Sequence, residues 1–337
     1  MSAPVAIDGR AAIRRETGGV ERVAREMSRR LPALRPDRYE LVVPRPRLAH
    51  RAGHAWEQLV LPLAARRAEL IYCPANLAPL GSRRNVVVIH DLAALAHPEW
   101  YGRAYVAWQR LALPAIAGRA RLVITVSDFS RAEIAGRLHV EDERIRVVPN
   151  GVADGFSPDA DPLPAARALG LERPYVLALS TRIARKNVGV LATAAAALGE
   201  RGIELVTAGS GRSYMRPGEA PPGRPLGYVP EALLPGLYAG AAALALPSVY
   251  EGFGLPALEA MASGAPVVAA NRTALPEVCG DAALLVDPDD PDAFADALLR
   301  ATGPERERLT AAGLARAAAF TWERSARLTD EAIGGLL

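Results

Sequence analysis

Residues 247–266, Pro-Ser-Val-Tyr-Glu-Gly-Phe-Gly-Leu-Pro-Ala-Leu-Glu-Ala-Met-Ala-Ser-Gly-Ala-Pro, combine a glycine-rich turn, a helix start and two carboxylates in one short stretch. Pro256 fits the first helical position, where its missing N–H costs nothing. Gly264 followed by Pro266 supplies a stop. The amides around Phe253, Gly254, Leu255 and Ala257 then form a helix N-terminus at a strand end, a natural seat for a diphosphate. Gly252 gives the loop its freedom to turn. Glu251 in the loop and Glu259 about one turn into the helix can reach one ligand from different sides. Carboxylates beside a phosphate seat make sense as acceptors for hydroxyl groups. Taken singly, Glu259 could instead be a surface helix residue and Glu251 a capping group.

A second cluster is Leu179-Ser-Thr-Arg-Ile-Ala-Arg-Lys-Asn. Of the 40 basic residues only one is lysine, Lys186, and it lies here beside Arg185. A compact ammonium binds phosphate as a point charge, although chance survival in an arginine-rich chain gives the same count. Arg182 reads as a third phosphate contact or as a surface residue. The paired Gly18-Gly19 lets backbone approach a ligand closely; a plain turn is the alternative. His90-Asp91 closes an apolar run, where a histidine beside a carboxylate can line a site or be a satisfied core residue. His50, His54, His97 and His139 form no constellation and read as surface. Gly209-Ser-Gly is a weak glycine pattern.

These groups need elements to position them. Apolar, β-branched runs recur near Val5–Asp8, Tyr39–Val43, Glu69–Cys73, Asn85–Ile89, Arg121–Val126 and Arg144–Val148. They recur again near Tyr175–Ser180, Ile203–Ala208, Pro225–Tyr228, Ala242–Leu246, Pro266–Ala270 and Ala283–Val286. Helical patterns intervene, and continuous apolar strands of this kind predict parallel sheets covered on both faces. Two such series predict an α/β chain of two doubly wound, Rossmann-like domains, divided at the Pro- and Asp-rich stretch after Ser157. The expected boundaries are 1–157 and 165–320, followed by a closing amphipathic helical pattern at 321–337 that composition alone does not assign to either domain. Ligands of open parallel sheets bind beyond the carboxyl ends of the strands, where the loops carry Gly18-Gly19, His90-Asp91, Ser127, Arg185-Lys186, Gly209-Ser-Gly and Glu251-Gly-Phe-Gly.

Composition narrows the rest. At 337 residues and 50% hydrophobic, the chain can bury two cores. No stretch approaches the ~20 apolar residues that span a bilayer, and the start carries no evident secretory signal. Cys73 and Cys279 lie outside metal or redox spacing and read as reduced thiols in a cytoplasmic protein. Residues 1–157 hold 24 Arg against 16 Asp and Glu, whereas the remainder holds 16 basic against 21 acidic residues. That basic half could meet anionic lipid at the inner face of a membrane, or a phosphate-bearing acceptor; a solvated surface explains it equally. Scattered arginines and 5% aromatics argue against nucleic acid. No His/Cys/Asp cluster marks a metal site.

The Glu251-to-Glu259 segment resembles the signature of the retaining glycosyltransferase family four, which includes bacterial mannosyl-, glucosyl- and rhamnosyltransferases. The resemblance continues through Leu275-Pro-Glu-Val-Cys-Gly-Asp and is echoed at Leu226-Gly-Tyr-Val-Pro, Val126-Ser-Asp-Phe-Ser and Val148-Pro-Asn-Gly-Val. It implies a GT-B fold, with two domains facing a central cleft, an N-terminal acceptor side, a C-terminal donor side, and a terminal helix, 321–337, that returns to complete the first domain. It implies that Glu251 contacts the donor sugar and Glu259 the ribose. The Gly254–Leu255 amides would touch the diphosphate and the Tyr228–Val229 backbone the base. Arg185 and Lys186 match the family's basic pair, Gly18–Gly19 its glycine loop, and His90 a cleft histidine. Ser180 stands where the family commonly has Gly, and Arg182 where an apolar residue is frequent.

The reaction implied is metal-independent hexosyl transfer from a nucleoside diphosphate-sugar, with retention and without a cofactor. The leaving phosphate would help take the acceptor proton, in keeping with the lack of a convincing nucleophile and acid pair. Catalysis would fall to His90, Arg185, Lys186 and Glu251. GDP-mannose is favoured over UDP-sugars, with a glycan, lipid-linked or small-molecule acceptor as in polysaccharide biosynthesis. A nicotinamide dehydrogenase is excluded because Gly209-Ser-Gly lacks the third glycine. A silent nucleotide-sugar-binding scaffold and a GT-B phosphorylase remain as rivals.

Overall fold

The computed structural model describes the chain except residues 1–3, 15–17, 46–52, 180–182, 210, 212–213 and 217–219. Two compact units emerge. The first comprises Met1–Leu95, Val106–Gly151 and Trp322–Leu337; the second comprises Ala96–Tyr105 and Val152–Thr321.

The first unit holds a six-stranded parallel sheet: β1 (Val5–Asp8), β2 (Tyr39–Val42), β3 (Leu70–Cys73), β4 (Asn85–Val88), β5 (Leu122–Thr125) and β6 (Ile145–Val147), in the order β2-β1-β3-β4-β5-β6. Val5 pairs with Tyr39 on one side and Leu70 on the other. The central strands are apolar on both faces: Ile7, Ile71, Val87 and Val123 are all fully buried. That burial is why these strands show no alternation in sequence.

Helix α1 (Gly19–Leu34) turns Val23, Ala24, Met27 and Leu31 inward, a spacing of three and four that makes one face of a helix. Its first turn is capped by Glu21, whose carboxylate accepts the Gly18 N–H at 3.0 Å. The unit is completed from far along the chain by α3 (Trp322–Gly334); the label α2 is kept for a helix of the second unit, Leu255–Ala262. Helix α3 packs Trp322, Ala326, Thr329 and Ile333 inward. Asp330 accepts hydrogen bonds from the Tyr39 hydroxyl and from Arg38, each at 2.7 Å. Arg30 pairs with Glu323.

The second unit repeats the plan with β7 (Tyr175–Leu179), β8 (Glu204–Ala208), β9 (Arg224–Gly227), β10 (Ala243–Leu246), β11 (Val267–Ala270) and β12 (Ala283–Val286). Every pair is parallel and the order is β12-β11-β10-β7-β8-β9. All twelve predicted strands are present, several trimmed by a residue at an end. The chain enters this unit at Val152, ahead of the stretch read as a linker, because Phe156 already packs against Tyr238 with ring centroids 5.6 Å apart. Among the described residues no helix is long and apolar enough to cross a membrane.

Candidate functional site

The second sheet reverses its winding between β7 and β10, and in open parallel sheets such a switch point opens a crevice at the carboxyl ends. The loops leaving those two strands carry Arg185–Lys186 and Glu251. After β7 the chain makes a tight turn at Ala184–Lys186, ended by Asn187 in the left-handed region at φ 49°. After β10 it runs through Tyr250 and Glu251, and the Val249 N–H binds the Arg185 carbonyl at 2.9 Å. Backbone thus ties the two loops together.

Their side chains meet. Lys186 Nζ donates to Glu251 Oε1 at 2.5 Å, and Arg185 Nη1 donates to Glu251 Oε2 at 3.2 Å and to the Tyr250 carbonyl at 3.0 Å. Lys186 and Glu251 are 6% and 7% exposed, so the charges are nearly sealed from water. Burial alone would push the Glu251 carboxyl up. The charges of Lys186 and Arg185, with the Lys186 hydrogen bond, outweigh it and hold the group at about 2. The result is an ionised carboxylate flanked by two cations, and an incoming anion would compete with it for them.

Glycine-rich backbone follows directly. Gly254 precedes α2 at φ +103°, a conformation that demands glycine, and a Cβ there would lie 2.7 Å from Leu275 Cδ2 and push that side chain aside. Gly252, Phe253, Gly254 and Leu255 are all buried in this turn. The Ala257 N–H, read from sequence as a free donor, binds the Gly254 carbonyl at 3.0 Å, because the first turn of α2 closes tightly. Glu259 is 5% exposed on α2, a buried residue rather than a surface one. Tyr228 and Val229 follow edge strand β9, two strands away from β7; Tyr228 is 56% exposed and Val229 is buried.

The remaining candidates lie in the first unit. His90, just beyond β4, is 6% exposed, and its Nε2 lies 2.9 Å from the Pro74 carbonyl. Burial lowers its pKa, against the opposing effects of the Pro74 carbonyl, Asp91 and Glu21. A neutral ring that donates from Nε2 to a carbonyl leaves Nδ1 as an acceptor. Gly18 and Gly19 stand at the start of α1. Ser180, Arg182 and Ser210 lie outside the described residues. Among the described residues no group of three or more His, Cys, Asp or Glu side chains is placed to hold a metal ion.

Three features escaped the sequence reading. Thr273, at φ 56°, accepts the Glu251 N–H on its hydroxyl at 3.0 Å, and Asn76, at φ 63°, accepts the His90 N–H at 2.8 Å. For Asn76, an amide side chain three positions past a strand was the available signal. The third is a buried cluster at the end of β1. Arg10 pairs with Glu57 and lies beside Asp8, and all three are under 3% exposed. Burial, only partly offset by Arg10, pushes the Glu57 carboxyl up to about 7.

Comparison with known proteins fits this geometry. Residues 59–156 match the family described as Glycosyltransferase Family 4, and residues 173–303 match Glycosyl transferases group 1. The O-antigen chain mannosyltransferase B of Escherichia coli is 34% identical over 319 residues, 88% of this chain and 80% of that protein. The MMP alpha-(1->4)-mannosyltransferase of Mycolicibacterium hassiacum is 34% identical over 245 residues, 68% of this chain but 56% of its own length. Among solved structures, sucrose-phosphate synthase of Thermosynechococcus elongatus has a TM-score of 0.73 at 21% identity, with 99% of each chain covered. HepE of Anabaena, in complex with UDP and glucose, has a TM-score of 0.71 at 18% identity, covering 99% of this chain and 100% of that one. The structural likeness speaks for the GT-B fold, and the 34% relative, matched over most of both lengths, for descent: the chain belongs to the glycosyltransferases of group 1 and family 4.

Proposed function

We propose that this glycosyltransferase moves a hexosyl group, mannosyl by preference, from a nucleoside diphosphate-sugar to a glycan, lipid-linked or small-molecule acceptor, with retention and without a metal ion. The observation that carries the reading is the Lys186–Glu251–Arg185 cluster at the switch point of the second sheet. Charge on the leaving diphosphate grows as the glycosidic bond breaks, and a buried and a partly buried cation stabilise that charge most where water is scarce. Arg185 and Lys186 take this role, with the backbone of Gly252, Phe253, Gly254 and Leu255 against the phosphates. Glu251, kept ionised, accepts from donor sugar hydroxyls, Glu259 from the ribose, and the Tyr228–Val229 backbone borders the base.

In the first unit, Gly18–Gly19 serve the phosphate and acceptor. His90 acts through its unprotonated Nδ1 as an acceptor for a sugar hydroxyl. Residues 1–157 with the helix at 321–337 form the acceptor-side domain, and residues 165–320 form the donor domain. The protein works in the cytoplasm, with its basic N-terminal half against the inner face of the membrane when the acceptor is lipid-linked. We take GDP-mannose as the donor, the mannosyltransferase relatives speaking for the sugar alone; HepE, solved with UDP and glucose, keeps UDP-sugars in contention.

Calorimetric titration with GDP, UDP and dTDP in the presence of chelator, on the wild type and Lys186→Ala, tests the reading. Binding of one nucleotide that is lost in the variant supports the site and names the base. Failure of all three at millimolar concentration sinks it in favour of a phosphorylase or of a protein that only scaffolds another transferase.

A further inference from the structure

Phe, Trp and Tyr number 18 in 337 residues, yet five of them gather in one place in the second unit. Residues 96–105 belong to this unit although they are drawn from within the first unit's stretch of sequence. They are clamped to residues 214–216 by backbone pairing: Gly102 N–H binds the Tyr214 carbonyl and Arg216 N–H binds the Trp100 carbonyl, each at 2.9 Å. Rings line the clamp. His97 stacks on Trp100 with centroids 3.9 Å apart and planes at 13°, and both rings meet Tyr250 edge-on, at 5.6 and 6.4 Å. Tyr105 stacks on Tyr214 at 4.6 Å and tilts against Tyr101 at 5.6 Å.

Two layers are distinguishable. Tyr101 and Tyr250 are 6% and 3% exposed and form the buried support, Tyr101 against Tyr105 and Tyr250 against His97 and Trp100. His97, Trp100, Tyr105 and Tyr214 are only partly buried and form the face above it. A base alone is enough to pin a strap; four partly open rings held in register on top are a prepared surface. Its position is informative as well. Tyr250 precedes Glu251, and its carbonyl takes the same Arg185 group that holds the Glu251 carboxylate. Aromatic faces receive the C–H face of a pyranose, while tyrosine hydroxyls and the His97–Glu99 pair, 3.0 Å apart, suit its hydroxyl rim.

We propose that this aromatic surface is an acceptor subsite, seating a pyranose ring of the acceptor glycan on Trp100 and the Tyr105–Tyr214 pair beside Glu251. The assignment to the acceptor rests on the transferase reading above; sugar binding itself does not.

Ligand-observed NMR tests it, using methyl glycosides of mannose, glucose, galactose and N-acetylglucosamine and their disaccharides. The proteins are the wild type, Trp100→Ala, Trp100→Phe and Tyr105→Ala, with nucleotide calorimetry in parallel. At least one sugar binds the wild type with millimolar affinity, which falls about tenfold in Trp100→Ala and Tyr105→Ala and stays within about threefold in Trp100→Phe. Nucleotide affinity is unchanged in all four proteins. The proposal is overturned if no sugar binds saturably, or if removing either ring leaves sugar affinity intact. Should Trp100→Ala fail to fold, Trp100→Phe and Tyr105→Ala still decide the matter. Sugar binding with no nucleotide binding in the wild type supports the subsite while removing the donor reading, so the two failures are separate.

Discussion

Replacing Lys186 with alanine isolates the charge arrangement at the switch point. Glu251 is held at about 2 against an ordinary 4.5, by two cations acting against burial. The gap of about 2.5 corresponds to about 3 kcal/mol favouring the ionised form in the folded state. Because the folded value is the lower one, this contribution is present above pH 4.5 and is lost as pH falls through about 2. Arg185 remains in the variant, at 3.2 Å with its side chain 16% exposed, and keeps part of the effect. The expected loss is about 2 kcal/mol at pH 7, and the Glu251 pKa moves up. Urea denaturation of both proteins at pH 7, 5 and 3.5 measures it. The deficit of the variant shrinks toward acid, because its Glu251 protonates first and ceases to be a poorly paired buried charge. Adding Glu251→Gln restores much of the loss at pH 7, since a neutral amide replaces the stranded carboxylate. Equal stabilities within about 0.5 kcal/mol at pH 7, or a deficit that grows on acidification, would refute the reasoning.

Glu57→Gln tests the buried cluster in the first unit. The raised carboxyl makes the wild type lose stability as pH rises from about 5 through 7, so the variant gains on it over that interval, as thermal melts at pH 5 and 8 can read. Gly254→Ala forces a side chain into φ +103° against Leu275; it costs about 1–3 kcal/mol in urea melts and weakens nucleotide binding measured by calorimetry. Asp330→Ala strands the Tyr39 hydroxyl and Arg38 and lowers stability by about 2–4 kcal/mol, whereas Asp330→Asn loses less than half of that in the same melts.

The strands were legible because buried parallel strands are written as unbroken apolar runs, and the turns after them as small or charged residues. Lys186 stood out by being the single lysine, and the structure gives it a buried carboxylate partner. What sequence could not show was the partnership itself: residues 186 and 251 become neighbours only because the sheet winds outward from β7 in both directions. Thr273 was invisible for a different reason, since a β-branched residue at positive φ runs against its own local preference and is held there by its surroundings. His97 was read as surface because its partners, Trp100 and Tyr250, are set by the clamp between residues 100–102 and 214–216. Glu57 carried no sequence signal, because its partner Arg10 lies 47 residues away and only the fold buries the two together.

The clasp of α3 on α1 has a consequence for synthesis. The last piece of the first unit begins at Trp322, while its preceding piece ends at Gly151, so 170 residues, 152–321, separate them. At 5–20 residues per second, translation leaves a gap of roughly 10–30 s. During that interval the inward side of α1 lacks Trp322 and Ile333, and Tyr39 lacks Asp330. Chains truncated before Trp322 should be cut by protease within α1 or β2, where the complete chain resists. The second unit, apart from residues 96–105, is contiguous and can fold while the first is still waiting, so the half of the chain made first is the half finished last.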